Sequence, residues 1–109
     1  MPYRHTVQYY ETDKMGITHH SNYIRWMEEA RVAMLEEMGW GYDRLESLGV
    51  GSPVIGLHCE YKHPTTFRDE VEITAEVLEY RGVHLVVSYQ MRRCSDGETV
   101  LTGTSRHCF

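Results

Sequence analysis

The chain has 109 residues and a net charge of −5, with 41% hydrophobic and 25% charged residues, an ordinary balance for one domain around one modest core. No apolar run approaches the roughly 20 residues that span a bilayer, and the first six residues lack the apolar core of a secretory signal. A negative balance also argues against nucleic acid, which needs a positive field to displace counterions, but a local basic cluster is enough to hold a small anionic ligand. Cys59, Cys94 and Cys108 are odd in number and form no CxxC pair, so a reducing, cytoplasmic compartment is expected.

Tyr3, His5, Val7 and Tyr9 alternate with Arg4, Thr6 and Gln8, which predicts a strand over 3–10. The polar stretch Glu11 to Gly16 predicts a loop. Ser21 or Asn22 can cap the helix that follows by accepting a bond from a free backbone N–H. Tyr23, Met27, Ala30, Met34 and Met38 recur at spacings of three and four, so an amphipathic helix is expected from about Asn22 to Met38, ended by Gly39 and Gly41. Trp40 to Ser52 reads as a connector with a short helical turn near Tyr42 to Leu48.

After Pro53 the period changes to two. Ile55, Leu57, Cys59 and Tyr61 share one face of a strand that stops before Pro64. Val71, Ile73, Ala75 and Val77 line the next, and Arg81-Gly82 predicts a tight turn. Val83, Leu85, Val87, Tyr89 and Met91 mark a further strand, and Ser95-Asp96-Gly97 turns the chain into a last one over 99–109. Short connections make most of the pairing antiparallel, and the economical arrangement is one curved sheet around one helix.

The segment from Tyr10 to Tyr23 carries the chemistry. It puts an acid, Asp13, a few residues before a helix start, where unsatisfied N–H groups and the helix dipole can polarise a carbonyl oxygen. A carboxylate there can attack that carbonyl or activate water against it. On the residues alone, a solvated aspartate before a capped helix is the favoured reading of the pattern.

The segment resembles the signature of the 4-hydroxybenzoyl-CoA thioesterase family of hotdog proteins: Glu11-x-Asp13, then Gly16, then Asn22-Tyr23 opening a helix. Arg25, Trp26, Glu28, Ala30 and Arg31 look like that family's helix. Tyr61 to Pro64 and Phe67 to Val71 are similar to its second and third strands, and Thr102 to Arg106 to its last. The resemblance implies an α+β hotdog domain over 1–109, a five-stranded, mainly antiparallel sheet wrapped around one central helix. It implies an acyl-CoA thioesterase with Asp13 as nucleophile or general base and the His20 backbone N–H holding the thioester oxygen. Gly16, Tyr23 and Arg81 fall on substrate-binding positions, Arg81 near a basic turn that contacts coenzyme A phosphates. Coenzyme A is then part of the substrate and no cofactor is expected. The family also implies a homodimer or homotetramer with the ligand site between subunits.

Three departures stand out. Glu11 replaces a commoner Asp, His19 replaces a commoner aromatic, and the chain stops at Phe109, so a shortened C-terminus is expected. The seven histidines lack the i, i+4 spacing of zinc motifs, and no metal site is expected. Two other classes stay open beside the thioesterase: a hotdog hydratase or dehydratase with His20 as base, and a catalytically silent acyl-CoA-binding module.

Overall fold

A computed structural model of the chain describes residues 2–39, 54–82 and 84–108. The expected helical turn at Tyr42 to Leu48, Gly41, Val83 and Phe109 lie outside the described residues.

Five strands form one sheet: β1 (Tyr3–Thr6), β2 (Val54–Tyr61), β3 (Glu70–Arg81), β4 (His84–Arg93) and β5 (Thr99–Cys108). Every pairing is antiparallel and the spatial order is β1-β3-β4-β5-β2. The helix α1 (Ser21–Glu37) packs on one face, nearer β3 and β1 than the far edge. Its 17 residues span about 25 Å. Alternation on β4 buries Leu85, Val87, Tyr89 and Met91 under the helix, and Val71 and Ile73 of β3 do the same. Each such side chain contributes about 1.5–3 kcal/mol when withdrawn from water.

The expected helix stripe is present in Tyr23, Met27 and Ala30, but Met38 is exposed and Trp26 and Leu35 are buried instead. Gly39 and the two turn glycines, Gly82 and Gly97, have positive φ, as their positions at a helix end and at two hairpins require.

Two local expectations are corrected. β1 stops at Thr6, and residues Tyr9–Glu11 form a 3-10 turn that leaves Tyr9 and Tyr10 exposed. Val7 ends the alternation because its N–H and C=O bond Asp69 and Arg68, residues just before β3. The helix begins one residue earlier than expected, and neither Ser21 nor Asn22 caps it: the cap position is His20.

Candidate active site

The site is built on Glu11, which is 5% exposed. Its carboxylate accepts the Gln8 N–H and the His5 imidazole at one oxygen and the Trp26 indole N–H at the other, each at 2.8 Å. Burial opposes its ionisation, but these three hydrogen bonds outweigh burial and hold the carboxyl below the ordinary glutamate range. Its backbone carbonyl accepts the His19 N–H at 2.9 Å and the Asn22 side-chain amide at 2.9 Å. One residue thus ties β1, the loop and the helix start together.

Beyond it the chain makes a tight loop. The Asp13 N–H donates to the Ile17 carbonyl, and the Gly16 N–H returns to the Asp13 carbonyl, both at 2.9 Å. Gly16 has φ +81, a conformation that glycine adopts without a Cβ penalty. The Asp13 side chain accepts the Met15 N–H at 2.8 Å through one oxygen, and its other oxygen has no partner among the described residues. The Thr66 hydroxyl holds the Gly16 carbonyl at 2.7 Å, and the Thr18 N–H donates to the Thr65 carbonyl.

At the helix start, the His19 ring accepts the Ser21 N–H and lies 2.9 Å from the Ser21 hydroxyl. The His20 backbone N–H meets no acceptor among the described residues. His20 lines a cavity of about 280 Å³ with Ile17, Tyr23, Tyr61, His63 and Pro64. The Tyr23 and Tyr61 rings stand 5.6 Å apart, and the Tyr23 hydroxyl is fixed on Thr65 at 3.0 Å.

The structure therefore brings Asp13, Gly16, His20 and Tyr23 to one end of the helix. Asp13 stands just behind the cavity wall, linked to it through Ile17. Arg81 is elsewhere: it ends β3, eleven residues beyond Glu70, about 36 Å along the strand, and faces Glu79 at 3.6 Å. Within one chain it does not reach this site. Sequence reasoning missed the Glu11–Trp26 and Tyr23–Thr65 bonds, since both join residues far apart along the chain.

Burial raises the Cys59 thiol above its ordinary value, and the Tyr61 phenol is raised by burial and by Cys59 beside it. Among the described residues no group of three or more His, Cys, Asp or Glu is placed to hold a metal. Among the described residues no helix is long and apolar enough to cross a membrane.

Comparison with known proteins agrees with this fold. The 4-hydroxybenzoyl-CoA thioesterase from Pseudomonas sp. strain CBS-3 superposes with a TM-score of 0.89 over 100% of this chain and 83% of its own, at 19% identity. The fold is the hotdog fold. A DHNA-CoA thioesterase from Staphylococcus aureus matches at 31% identity and a TM-score of 0.90, over 98% of this chain and 71% of that one. The Bacillus subtilis protein YneP, whose name assigns it provisionally to the acyl-CoA thioesterases, is 36% identical over 101 residues, 93% of this chain and 72% of its own. Residues 7–109 match the thioesterase-like superfamily. The chain belongs to that superfamily and is a thioester hydrolase.

Proposed function

We propose that the chain hydrolyses an acyl-CoA thioester to the free acid and coenzyme A, using Asp13 and the His20 backbone N–H. The observation that carries this reading is the His20 N–H at the start of α1, without an acceptor among the described residues, on a residue that lines a cavity beside a carboxylate loop. The thioester oxygen accepts that N–H, and the developing oxyanion is stabilised by it and by the helix dipole. Asp13 either attacks the carbonyl carbon, expelling the thiolate to leave an anhydride that water cleaves, or takes a proton from the attacking water. Gly16 shapes the loop and Tyr23 lines the acyl cavity.

The test is thiol release from a panel of acyl-CoA thioesters by the wild type and by Asp13→Asn. Loss of the carboxylate costs about 10²-fold or more in turnover. A folded Asp13→Asn protein with full hydrolysis overturns the assignment. An altered acyl product without thiol would indicate hydratase chemistry, and binding alone a silent module. Neither is favoured by the site: the His20 ring stacks on His19 at 4.3 Å and makes no pair with an acid among the described residues.

The same reading includes a homodimer or homotetramer. β2 is an edge strand with Val54, Leu57 and Tyr61 about half exposed, a surface suited to a second copy. Arg81, remote within its own chain, is then a coenzyme A contact for a neighbouring copy. Light scattering that finds an active monomer at micromolar concentration would refute the assembly. A cytoplasmic location fits three cysteines that form no disulfide.

A further inference from the structure

Of the donors on the Glu11 carboxylate, one belongs to the sheet. His5 lies on β1, its backbone paired with Val71 of β3, and its ring rests against the Trp26 indole of α1 with centroids 4.4 Å apart. The side chain is 14% exposed. Nε2 stands 2.8 Å from Glu11 Oε1, and because an ionised carboxylate can only accept, Nε2 carries the proton. Nδ1 points the other way, 3.8 Å from Glu29 Oε2 and beyond hydrogen-bonding distance.

The other side of Glu11 leads to the helix start. A peptide group is planar, so the His19 carbonyl and the His20 N–H move as one piece. The His19 carbonyl accepts the Asn22 N–H at 3.0 Å and the Asn22 side-chain amide at 3.3 Å. That same amide donates to the Glu11 carbonyl at 2.9 Å, and the His19 N–H donates there too, at 2.9 Å. His19 is thus fixed on both flanks from the Glu11 backbone, and the direction of the His20 N–H is fixed with it. Stability alone does not call for a buried carboxylate here, since apolar side chains of the same volume commonly serve as well. What the charge supplies is a defined place: an acceptor gripped at both oxygens by His5, Gln8 and Trp26 admits little movement.

We propose that His5 is a positioning residue for the hydrolysis: its bond to Glu11 fixes, through the Glu11 carbonyl and Asn22, the direction in which the His20 N–H meets the thioester oxygen. This rests on the thioesterase reading of His20 and Asp13. His5 is not among the residues that line the His20 cavity, so its loss acts on the oxyanion and not on substrate binding. Donors to an oxyanion work at about 2.7–3.1 Å, and a small displacement is therefore felt in turnover first.

Variants at His5 separate the bond from the bulk of the ring, each checked for folding by thermal melting and assayed well below its melting temperature. His5→Gln carries an amide N–H2 that reaches about as far as Nε2, whereas that of His5→Asn ends near Nδ1. His5→Phe keeps a ring on Trp26 and has no donor. His5→Asn and His5→Phe are each expected to lower kcat about tenfold with KM within about twofold of wild type, and His5→Gln to recover most of kcat. Wild-type kcat in folded His5→Asn or His5→Phe, or a loss carried by KM, overturns the proposal. So does a kcat in folded His5→Gln as low as theirs, which would assign the effect to packing. Should His5→Asn or His5→Phe fail to fold, the other decides. The backbone amide resonances of His19 and His20, read by NMR, should move in His5→Asn and His5→Phe and stay closer to wild type in His5→Gln. If wild type releases thiol from no acyl-CoA, the hydrolase reading has failed instead. The two resonances then decide the link by themselves: displacement in His5→Asn and His5→Phe upholds it, and unchanged positions refute it.

Discussion

The Asn22 side-chain amide donates to the Glu11 carbonyl at 2.9 Å, so the asparagine that opens the helix signature clasps the preceding loop and does not cap the helix. The two roles make opposite demands. A cap needs an acceptor and tolerates Asp or Ser, whereas this clasp needs a donor. Asn22→Asp is therefore expected to be at least as damaging as Asn22→Ala, which should cost about 1–2 kcal/mol of stability. Both should lower kcat, because the same carbonyl positions the His19–His20 segment. Urea unfolding and kinetics of the two variants check this; rescue by Asp would restore the cap interpretation.

Glu11→Gln should destabilise the protein by about 1–3 kcal/mol at neutral pH. The carboxylate accepts donors at both oxygens, and an amide presents one of them with an N–H2 group. The folded carboxyl is held below the ordinary value of 4.5, so its contribution is present above that pH and lost as pH falls through the folded value. The stability gap between wild type and Glu11→Gln should accordingly close in acid below pH 4.5. Denaturant unfolding across a pH series measures the gap, and a constant difference would exclude the linkage.

Gly103 is fixed by contact, not by φ. A Cβ there would lie 2.6 Å from the His58 carbonyl oxygen and 3.5 Å from Met27 Cε. Because the first contact is backbone, β2 and β5 must part for any side chain. Gly103→Ala is expected to cost about 1–3 kcal/mol. A clear drop in melting temperature is the readout, and an unchanged one would mean that the edge strand yields freely.

The Asp96 carboxyl is held down at about 2 by the hydrogen-bonded Arg93 guanidinium and by the Glu98 N–H. Arg93 also donates to the Pro64 carbonyl at 2.7 Å, and Pro64 is a wall of the His20 cavity. In an NMR carboxyl titration Asp96 should titrate near 2 in the wild type and move toward 3.8 in Arg93→Lys. The turn's contribution to stability is present above 3.8 and fades between there and about 2.

Much of this was legible in the residues. Two-residue alternation in Val71–Val77 and Leu85–Met91, and the glycines at 82 and 97, announce strands and hairpins because their causes are local. Asp13, Gly16, His20 and Tyr23 lie within eleven residues, so a loop and one helix turn are enough to bring them together. The failures also have local causes: Tyr9 continues the alternation of β1 in sequence, but a 3-10 turn had already ended the strand.

What the sequence determined by itself is therefore the set of elements and the loop-to-helix site, since backbone preference and side-chain period act over a few residues. Only the tertiary structure decided that β2 lies at the edge beside β5, that Glu11 is buried against Trp26, and that Arg81 stands at the far end of the sheet. These depend on which strand takes which neighbour, a choice made by the packing of residues distant in the chain, and no local period encodes it.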